Sequence, residues 1–156
     1  MDWEHWTPQE RATLCFIRRG EQVLLIRKKR GLGKGKINGP GGKIEPGETA
    51  LEAAIRETIE ELGVVPLAPV EMGDLSFQFA DGYSLFCTLY VAEGCEGEPV
   101  ETDEATPLWT PVDAIPYNEM WADDALWFPK VLAGQRIRGF FEFDGERMVS
   151  SLVEDM

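Results

Sequence analysis

Residues 39–65 constrain the fold of this chain more than any other segment, because a tight loop is followed there by a helical pattern with clear end signals. Thr49 precedes the pattern and Glu52 follows three residues later, which is the spacing of a capping box. Gly63 stands where a C′ glycine would end a helix. We therefore predict a loop followed by a helix that ends at Gly63.

The predicted helix has two distinct faces. Residues spaced three or four apart predict its buried face: Leu51, Ile55, Thr58 and Leu62. An acidic set with the same spacing lies beside it: Glu57, Glu60 and Glu61. Carboxylates at such spacings repel one another. A hard divalent cation held by oxygen ligands, Mg²⁺ or Mn²⁺, would remove this repulsion.

The preceding loop strengthens the prediction of a metal site. It is rich in glycine and proline: Gly39, Pro40, Gly41, Gly42, Pro46 and Gly47. The backbone N–H groups of such a loop can approach a ligand closely. Arg56 adds a cation beside the carboxylates. A solvated acidic face is the simpler interpretation of an isolated Glu–Glu pair, but the loop, the helix and a metal together predict a site for a diphosphate group.

Length and composition predict one α+β domain over residues 1–156, with residues 1–10 as a flexible or peripheral extension. No apolar run approaches the length that spans a membrane, and the acidic start MDWEHWTPQE is unlike a secretory signal. Cys15, Cys87 and Cys95 show no CxxC spacing. We expect reduced thiols in a cytoplasmic protein that acts as a monomer.

Charge and histidine content exclude several kinds of function. His5 is the only histidine, which argues against Ser-His or Cys-His catalysis and against a histidine-rich zinc site. The net charge of −13 argues against stable binding of a nucleic-acid polymer through its phosphates. Nine of the 15 Lys and Arg residues nevertheless lie between Arg18 and Lys43. Most of them would serve as a solubilising edge, but one or two suit contacts to a small polyphosphate.

Further along the chain the pattern alternates between strands and turns. Hairpins are predicted for residues 13–26, for residues 75–92 around Asp81-Gly82, and for residues 137–153 around Asp144-Gly145. Residues 65–70 contain two prolines and predict a connector or an edge. A second helix is predicted from Asp123-Asp124 to about residue 132.

The loop and the helix together resemble the signature of the Nudix hydrolase family, G-x5-E-x7-R-E-U-x-E-E-x-G-U. Eight positions match it: Gly42, Glu48, Arg56, Glu57, Glu60, Glu61, Gly63 and Val64. Thr58 departs from it, since an aliphatic residue is usual there. The resemblance implies a mixed β-sheet sandwiched between helices, a divalent metal, normally Mg²⁺, and a nucleotide substrate.

Segments outside this signature resemble the mammalian branch of the family that hydrolyses oxidised purine nucleoside triphosphates, such as 8-oxo-dGTP, and so sanitises the nucleotide pool. They include KKRG at 28–31, FQF at 77–79 and MWADDALWFP at 120–129. The resemblance implies metal ligands: Gly41 through its carbonyl, Glu57, Glu60, Glu61 and Glu104. Glu61, and next Glu57, would activate water, and Arg56 would orient the carboxylates. It also implies substrate contacts: Thr13, Lys28, Asn38, Pro40, Gly41, Gly42, Lys43, Phe77, Trp121, Ala122, Asp123, Asp124, Trp127 and Phe143.

Physical chemistry supports a purine pocket. Trp121 or Trp127 could stack on a base, a contact worth about 1–3 kcal/mol, and Asn38 offers both a donor and an acceptor. Asp123 and Asp124 would not both ionise easily in an aromatic pocket, so one could donate a hydrogen bond while the other accepts. The alternative is that both merely cap the second helix.

Several departures from that branch concern the pocket. Leu32 and Pro40 each stand in place of a phenylalanine and Ile37 in place of a tryptophan, which predicts a roomier and less selective pocket. Other Nudix substrates therefore remain alternatives: general nucleoside triphosphates, ADP-ribose or a dinucleoside polyphosphate. A non-catalytic nucleotide sensor is a further alternative, although the complete set of Glu57, Glu60 and Glu61 argues against it.

Overall fold

A computed structural model describes all residues from 1 to 156. It contains two α-helices: α1 (Ala50–Leu62) and α2 (Asp124–Leu132). It contains eleven strands: β1 (Glu10–Arg19), β2 (Gln22–Lys28), β3 (Ile37–Asn38), β4 (Gly41–Lys43), β5 (Val65–Pro66), β6 (Val70–Phe79), β7 (Ser84–Ala92), β8 (Cys95–Glu96), β9 (Ala105–Pro111), β10 (Ile137–Asp144) and β11 (Arg147–Asp155). Short 3₁₀ turns lie at Trp3–His5 and Tyr117–Glu119. No helix is both long and apolar enough to cross a membrane.

Nine strands form one mixed sheet. Its main path runs β11-β10-β6-β7-β1-β2-β3, with β4 paired to β1 and β9 paired to β2. The pairs β1–β7 and β6–β10 are parallel, and the remaining pairs are antiparallel. Strand β1 pairs with β2 at one end and with β4 at the other. The glycine loop is therefore held against the middle of the sheet.

Alternate residues of β1 pack on opposite layers, as expected for a strand buried on both faces. Phe16 contacts Trp127 and Phe128 of α2, with ring centroids 6.0 and 4.5 Å away. Its neighbour Cys15 belongs to a cluster with Ala54 of α1. The sheet therefore lies between the two helices, which confirms the predicted α+β sandwich.

Helix α1 has the predicted ends, and its predicted buried face is confirmed for Thr58 and Leu62 but not for Leu51. The Thr49–Glu52 capping box is complete, and Gly63 ends the helix with a left-handed φ of 72°. Leu51 was predicted to be buried, and this was wrong because it is 41% exposed. The face that packs on the sheet is rotated towards small and polar side chains but keeps Leu62: its buried residues are Ala53, Ala54, Thr58, Glu61 and Leu62. Thr58 fits there because its hydroxyl donates to the Ala54 carbonyl at 2.7 Å.

The hairpins lie where they were predicted, with longer strands. Residues 65–70 contain the two-residue strand β5, which pairs with β8 outside the main sheet. The N-terminal segment packs on the outer part of the sheet. Trp6 Nε1 donates to Gln78 at 2.8 Å, and the Trp3 ring lies 5.3 Å from that of Phe140. These contacts place the first ten residues against β6 and β10.

Candidate active site

One cavity of about 920 Å³ joins the glycine loop to the aromatic end of the sheet. Carboxylates of α1 lie at one end, and the start of α2 lies at the other. Apolar side chains of β6, β7 and β10 form its floor: Leu75, Phe77, Phe79, Leu85, Cys87 and Phe143. The cavity can therefore accept a ligand with an apolar ring at one end and a charged group at the other.

Close packing explains why glycines are required in the loop. A Cβ atom on Gly41 would lie 1.9 Å from the Thr13 carbonyl oxygen. A Cβ atom on Gly42 would lie 2.4 Å from the carboxylate carbon of Glu57. Side chains at these positions would push the loop away from β1 and α1. The two glycines thus hold the backbone against the carboxylates.

Three carboxylates meet beside this loop. One oxygen from each of Glu57, Glu61 and Glu104 lies within 4.8 Å of the others. The Thr102 hydroxyl brings Glu104 there, because it donates to the Glu61 carbonyl at 2.7 Å and accepts the Glu104 N–H at 3.2 Å. Oxygen ligands at this separation suit a hard divalent cation.

The electrostatics of Glu61 agree with a cation site. Glu61 is 6% exposed, and its Oε2 has no hydrogen-bond partner. Burial, and next the charge of Glu57, raise the pKa of Glu61 to about 8. Burial also raises the pKa of Glu57, against the effect of Arg56. A carboxylate that is costly to ionise and lacks a partner is one that a bound cation would stabilise.

Arg56 organises the other carboxylates of the loop and the helix. Its guanidinium donates to Glu48 at 2.6 and 2.9 Å, to Glu57 at 2.8 Å and to Glu60 at 3.2 Å. A fifth bond reaches the Lys43 carbonyl at 3.0 Å and so fixes β4 to α1. Glu60, with a side chain 50% exposed, faces Arg56 and lies outside the three-carboxylate cluster.

Lys28 lies within the cavity beside the carboxylates. Burial lowers its pKa, and the charges of Glu61, Glu104 and Glu57 partly reverse this effect. An ammonium group in this position can contact a phosphate bound at the cluster.

Two aspartates lie at the other end of the cavity. Asp123 and Asp124 are both buried, and Trp127 Nε1 donates to Asp123 Oδ2 at 2.8 Å. Burial raises the pKa of Asp123 to about 6. Burial, and next the charge of Asp123, raise the pKa of Asp124 well above its usual range. Asp123 makes no side-chain capping hydrogen bond to α2, so helix capping does not account for it.

Aromatic rings enclose this end. Trp121 meets Phe143 edge-on, with centroids 5.4 Å apart, and it meets Phe79 in the same way at 6.1 Å. Trp127 also lines the cavity, but it packs in the core against Phe16 and is only 1% exposed. Trp121 is therefore the tryptophan with a free surface for a planar ligand.

Unpaired polar atoms concentrate in this cavity. Five buried side-chain atoms have no hydrogen-bond partner: Thr13 Oγ1, Arg18 Nε, Asn38 Nδ2, Glu61 Oε2 and Asp123 Oδ1. All but Arg18 belong to residues that line the cavity. Because unpaired buried polar groups cost about 1–3 kcal/mol each, this arrangement indicates a ligand that supplies the missing partners.

The cavity brings together most of the residues that the sequence singles out. Its lining includes Thr13, Lys28, Asn38, Gly41, Gly42, Lys43, Glu57, Glu61, Phe77, Glu104, Trp121, Asp123, Asp124, Trp127 and Phe143. Pro40, Arg56, Glu60 and Ala122 are not part of that lining.

Sequence reasoning missed several residues at the site, including Phe79, Tyr83 and Thr102. Phe79 alternates with Phe77 along β6, and this period could have identified it. Tyr83 follows a turn and carries no periodic signal. Thr102 lies in an irregular acidic loop that gives no indication of its contact with α1.

The fold and the site define a domain in which a glycine loop and an acidic helix line one end of a cavity large enough for a nucleotide. The NUDIX domain family matches residues 8–131, and the chain belongs to this family. Members of the family generally use a divalent metal.

Individual relatives share most of the chain. The oxidized purine nucleoside triphosphate hydrolase of Danio rerio is 43% identical over 138 residues, covering 88% of each chain. The protein of the same name from Mus musculus is 36% identical over 140 residues, covering 89% of this chain and 90% of the relative. Among solved structures, the mutator MutT protein from Bacillus halodurans has a TM-score of 0.83 and 30% identity, covering 93% of this chain and 97% of that one.

Proposed function

We propose that the chain hydrolyses oxidised purine nucleoside triphosphates, of the 8-oxo-dGTP and 2-oxo-dATP type, to the monophosphate and pyrophosphate, with Mg²⁺ as its cofactor. The observation that carries the proposal is one continuous cavity that is lined both by the carboxylate cluster and by a polar aromatic pocket. The names of the fish and mouse relatives support the same substrate class.

In this proposal the phosphates lie at the α1 end. Glu57, Glu61 and Glu104 would hold the metal, and the Gly41 carbonyl would be a further ligand. Bound Mg²⁺ supplies neutralisation of the charge that develops on the phosphate oxygens. Glu61 would accept a proton from the attacking water, because burial raises its pKa to about 8 and its Oε2 has no hydrogen-bond partner in the protein. Lys28 contacts the phosphates.

Arg56 and Glu60 take supporting roles. Arg56 keeps Glu57 in place through a 2.8 Å hydrogen bond and does not reach the cavity. Glu60 contacts Arg56 through one oxygen at 3.2 Å, and its half-exposed side chain lies outside the three-carboxylate cluster. Its contribution as a ligand is therefore expected to be smaller than that of Glu57 or Glu61.

The base lies at the α2 end. Trp121 stacks on the purine, and Asn38 with Asp123 and Asp124 reads its polar edge. The two raised aspartate pKa values favour a state with one shared proton. In that state one carboxyl group donates a hydrogen bond and the other accepts one. The two aspartates can therefore form hydrogen bonds with an oxidised guanine or with an oxidised adenine. A fixed pair of ionised aspartates could only accept.

We further propose that the protein acts on free nucleotides as a cytoplasmic monomer. Its net charge of −13 opposes binding of a nucleic-acid polymer. Its three cysteines are all unpaired, as is usual in a reducing compartment.

The decisive experiment is pyrophosphate release with Mg²⁺ from a panel of substrates: 8-oxo-dGTP, 2-oxo-dATP, dGTP, dATP, ADP-ribose and a dinucleoside polyphosphate. A large preference in kcat/KM for the two oxidised triphosphates is expected. Equal rates on all triphosphates would refute the base specificity while leaving the hydrolytic chemistry in place. Binding of nucleotides with Mg²⁺ but without turnover would identify a sensor instead.

A further inference from the structure

A polar network that the proposed reaction does not use lies at the mouth of the cavity. The Tyr83 hydroxyl donates to Glu10 Oε2 at 2.6 Å. The Lys43 ammonium lies 2.9 Å from the same oxygen and 3.1 Å from Glu10 Oε1. Tyr83 and Lys43 line the cavity, whereas Glu10 lies just behind them. One carboxylate thus holds two side chains of the cavity wall.

Strand geometry fixes this network in place. Glu10, Ala12 and Leu14 alternate along β1 and therefore share one face of the sheet. Lys43 pairs directly with Ala12 across the β1–β4 ladder, which makes Glu10 its diagonal neighbour on that face. Glu10 is therefore built into the wall of the cavity.

The position of Lys43 allows its positive charge to pair either with Glu10 or with a bound phosphate. Lys43 lines the same cavity as Glu57 and Lys28, the groups assigned to the metal and to the phosphates. In this structure its ammonium is already neutralised by Glu10. A polyphosphate that uses Lys43 must draw it away from a carboxylate that also repels the phosphates.

We propose that Glu10 is a positioning residue that holds Lys43 and competes with the polyphosphate for it, so that Glu10 sets the KM for the triphosphate substrate. Tyr83 keeps the carboxylate in place after Lys43 has moved to the phosphates, because its hydroxyl remains as a donor. A nucleoside monophosphate, whose single phosphate does not extend to Lys43, gains nothing from this exchange. Glu10 therefore affects binding of the triphosphate substrate and not binding of the monophosphate product.

The test is Glu10→Gln, which removes the charge and keeps an oxygen that accepts from Tyr83. This assay rests on the proposed triphosphate substrate. We expect KM to fall about two- to fivefold, the range of an exposed ion pair, with kcat and inhibition by the monophosphate product unchanged. The decrease should shrink at high salt because the interaction is screened. Glu98→Gln is the matched control, since it removes one charge from the exposed ion pair with Arg19 and should leave KM unchanged.

A double-mutant cycle separates competition from a general effect of charge. Lys43→Met should raise KM, and in that background Glu10→Gln should lose most of its effect. An unchanged or higher KM in Glu10→Gln, or an equal decrease with and without Lys43, would overturn the role of Glu10.

Calorimetric binding of inorganic tripolyphosphate with Mg²⁺ to the same variants is the second measurement, and it requires no turnover. Tighter binding by Glu10→Gln supports the role of Glu10 even if no nucleotide in the panel is hydrolysed, which would refute only the proposed function. Unchanged or weaker binding counts against Glu10 even if the proposed reaction is confirmed.

Discussion

Neutralising Glu61 should stabilise the metal-free protein while it abolishes activity. The wild-type pKa of Glu61 is raised from 4.5 to about 8, so the folded state holds this proton more tightly than the unfolded chain. Stability from this group is complete below about pH 4.5 and is lost as the pH rises towards 8. The penalty at higher pH is largest when no cation is bound.

The size of the effect follows from the structure. The rise in pKa corresponds to about 5 kcal/mol, at about 1.36 kcal/mol for each pKa step. Glu61→Gln removes this penalty but leaves an amide NH₂ where Oε2 has no partner, a cost of about 1–3 kcal/mol. The expected gain is therefore about 2–4 kcal/mol, which raises Tm by about 4–16 °C for a chain of this size.

The assay is thermal unfolding in EDTA between pH 5 and pH 8.5. The Tm of the wild type should fall as the pH rises across this range. The Tm of Glu61→Gln should fall less, and at pH 8.5 it should be higher than that of the wild type. Adding Mg²⁺ should stabilise the wild type more than the variant, and kcat of the variant should be lower by about 100-fold or more. Glu60→Gln is the control, because its half-exposed side chain predicts little change in Tm. A variant less stable than the wild type in EDTA at pH 8.5 would refute the reasoning.

Three further predictions concern other parts of the site. Asp124→Asn should reduce the preference for oxidised bases and flatten the pH profile of kcat/KM between pH 5 and 8, because the raised pKa makes Asp124 lose its proton as the pH increases; an unchanged profile contradicts the shared proton. Gly42→Ala should lower Mg²⁺ affinity about tenfold or more with the circular dichroism spectrum retained, because its Cβ would lie 2.4 Å from the Glu57 carboxylate carbon. Arg56→Lys should lower kcat/KM about tenfold, because lysine cannot reproduce the paired bonds to Glu48 at 2.6 and 2.9 Å; normal activity would show that a point charge suffices.

Short-range sequence patterns predicted the loop and the helix that carry the carboxylates. The capping box at Thr49 and the stop at Gly63 depend on residues three or four apart, and the structure contains both. The predicted burial of Leu51 was wrong for a physical reason. Apolar spacing favours Leu51, but α1 packs closely on β1 through the small side chains of Ala53 and Ala54, and this rotation exposes Leu51 and buries Glu61.

The rest of the site depends on contacts that leave no local pattern. Thr102 lies 41 residues from Glu61, yet its hydroxyl brings Glu104 to the cluster. Glu10 and Tyr83 are separated by 73 residues and meet only because β1 and β7 pair in parallel. Resemblance to a family supplied Glu104, but neither periodicity nor spacing could supply these partners.

The ion pairs around the carboxylate cluster indicate where a cation would be most stabilising. Arg56 neutralises Glu48 and Glu60, and Arg30 lies 2.8 Å from Glu104. Glu61 forms no salt bridge within 4.0 Å, although it is the most buried carboxylate of the cluster. Each of the other carboxylates therefore has a cation of the protein beside it, whereas Glu61, the carboxylate of the cluster that is costliest to ionise, has none. That uncompensated charge is what a divalent ion from solution would neutralise, and it links metal binding to the group proposed to activate water.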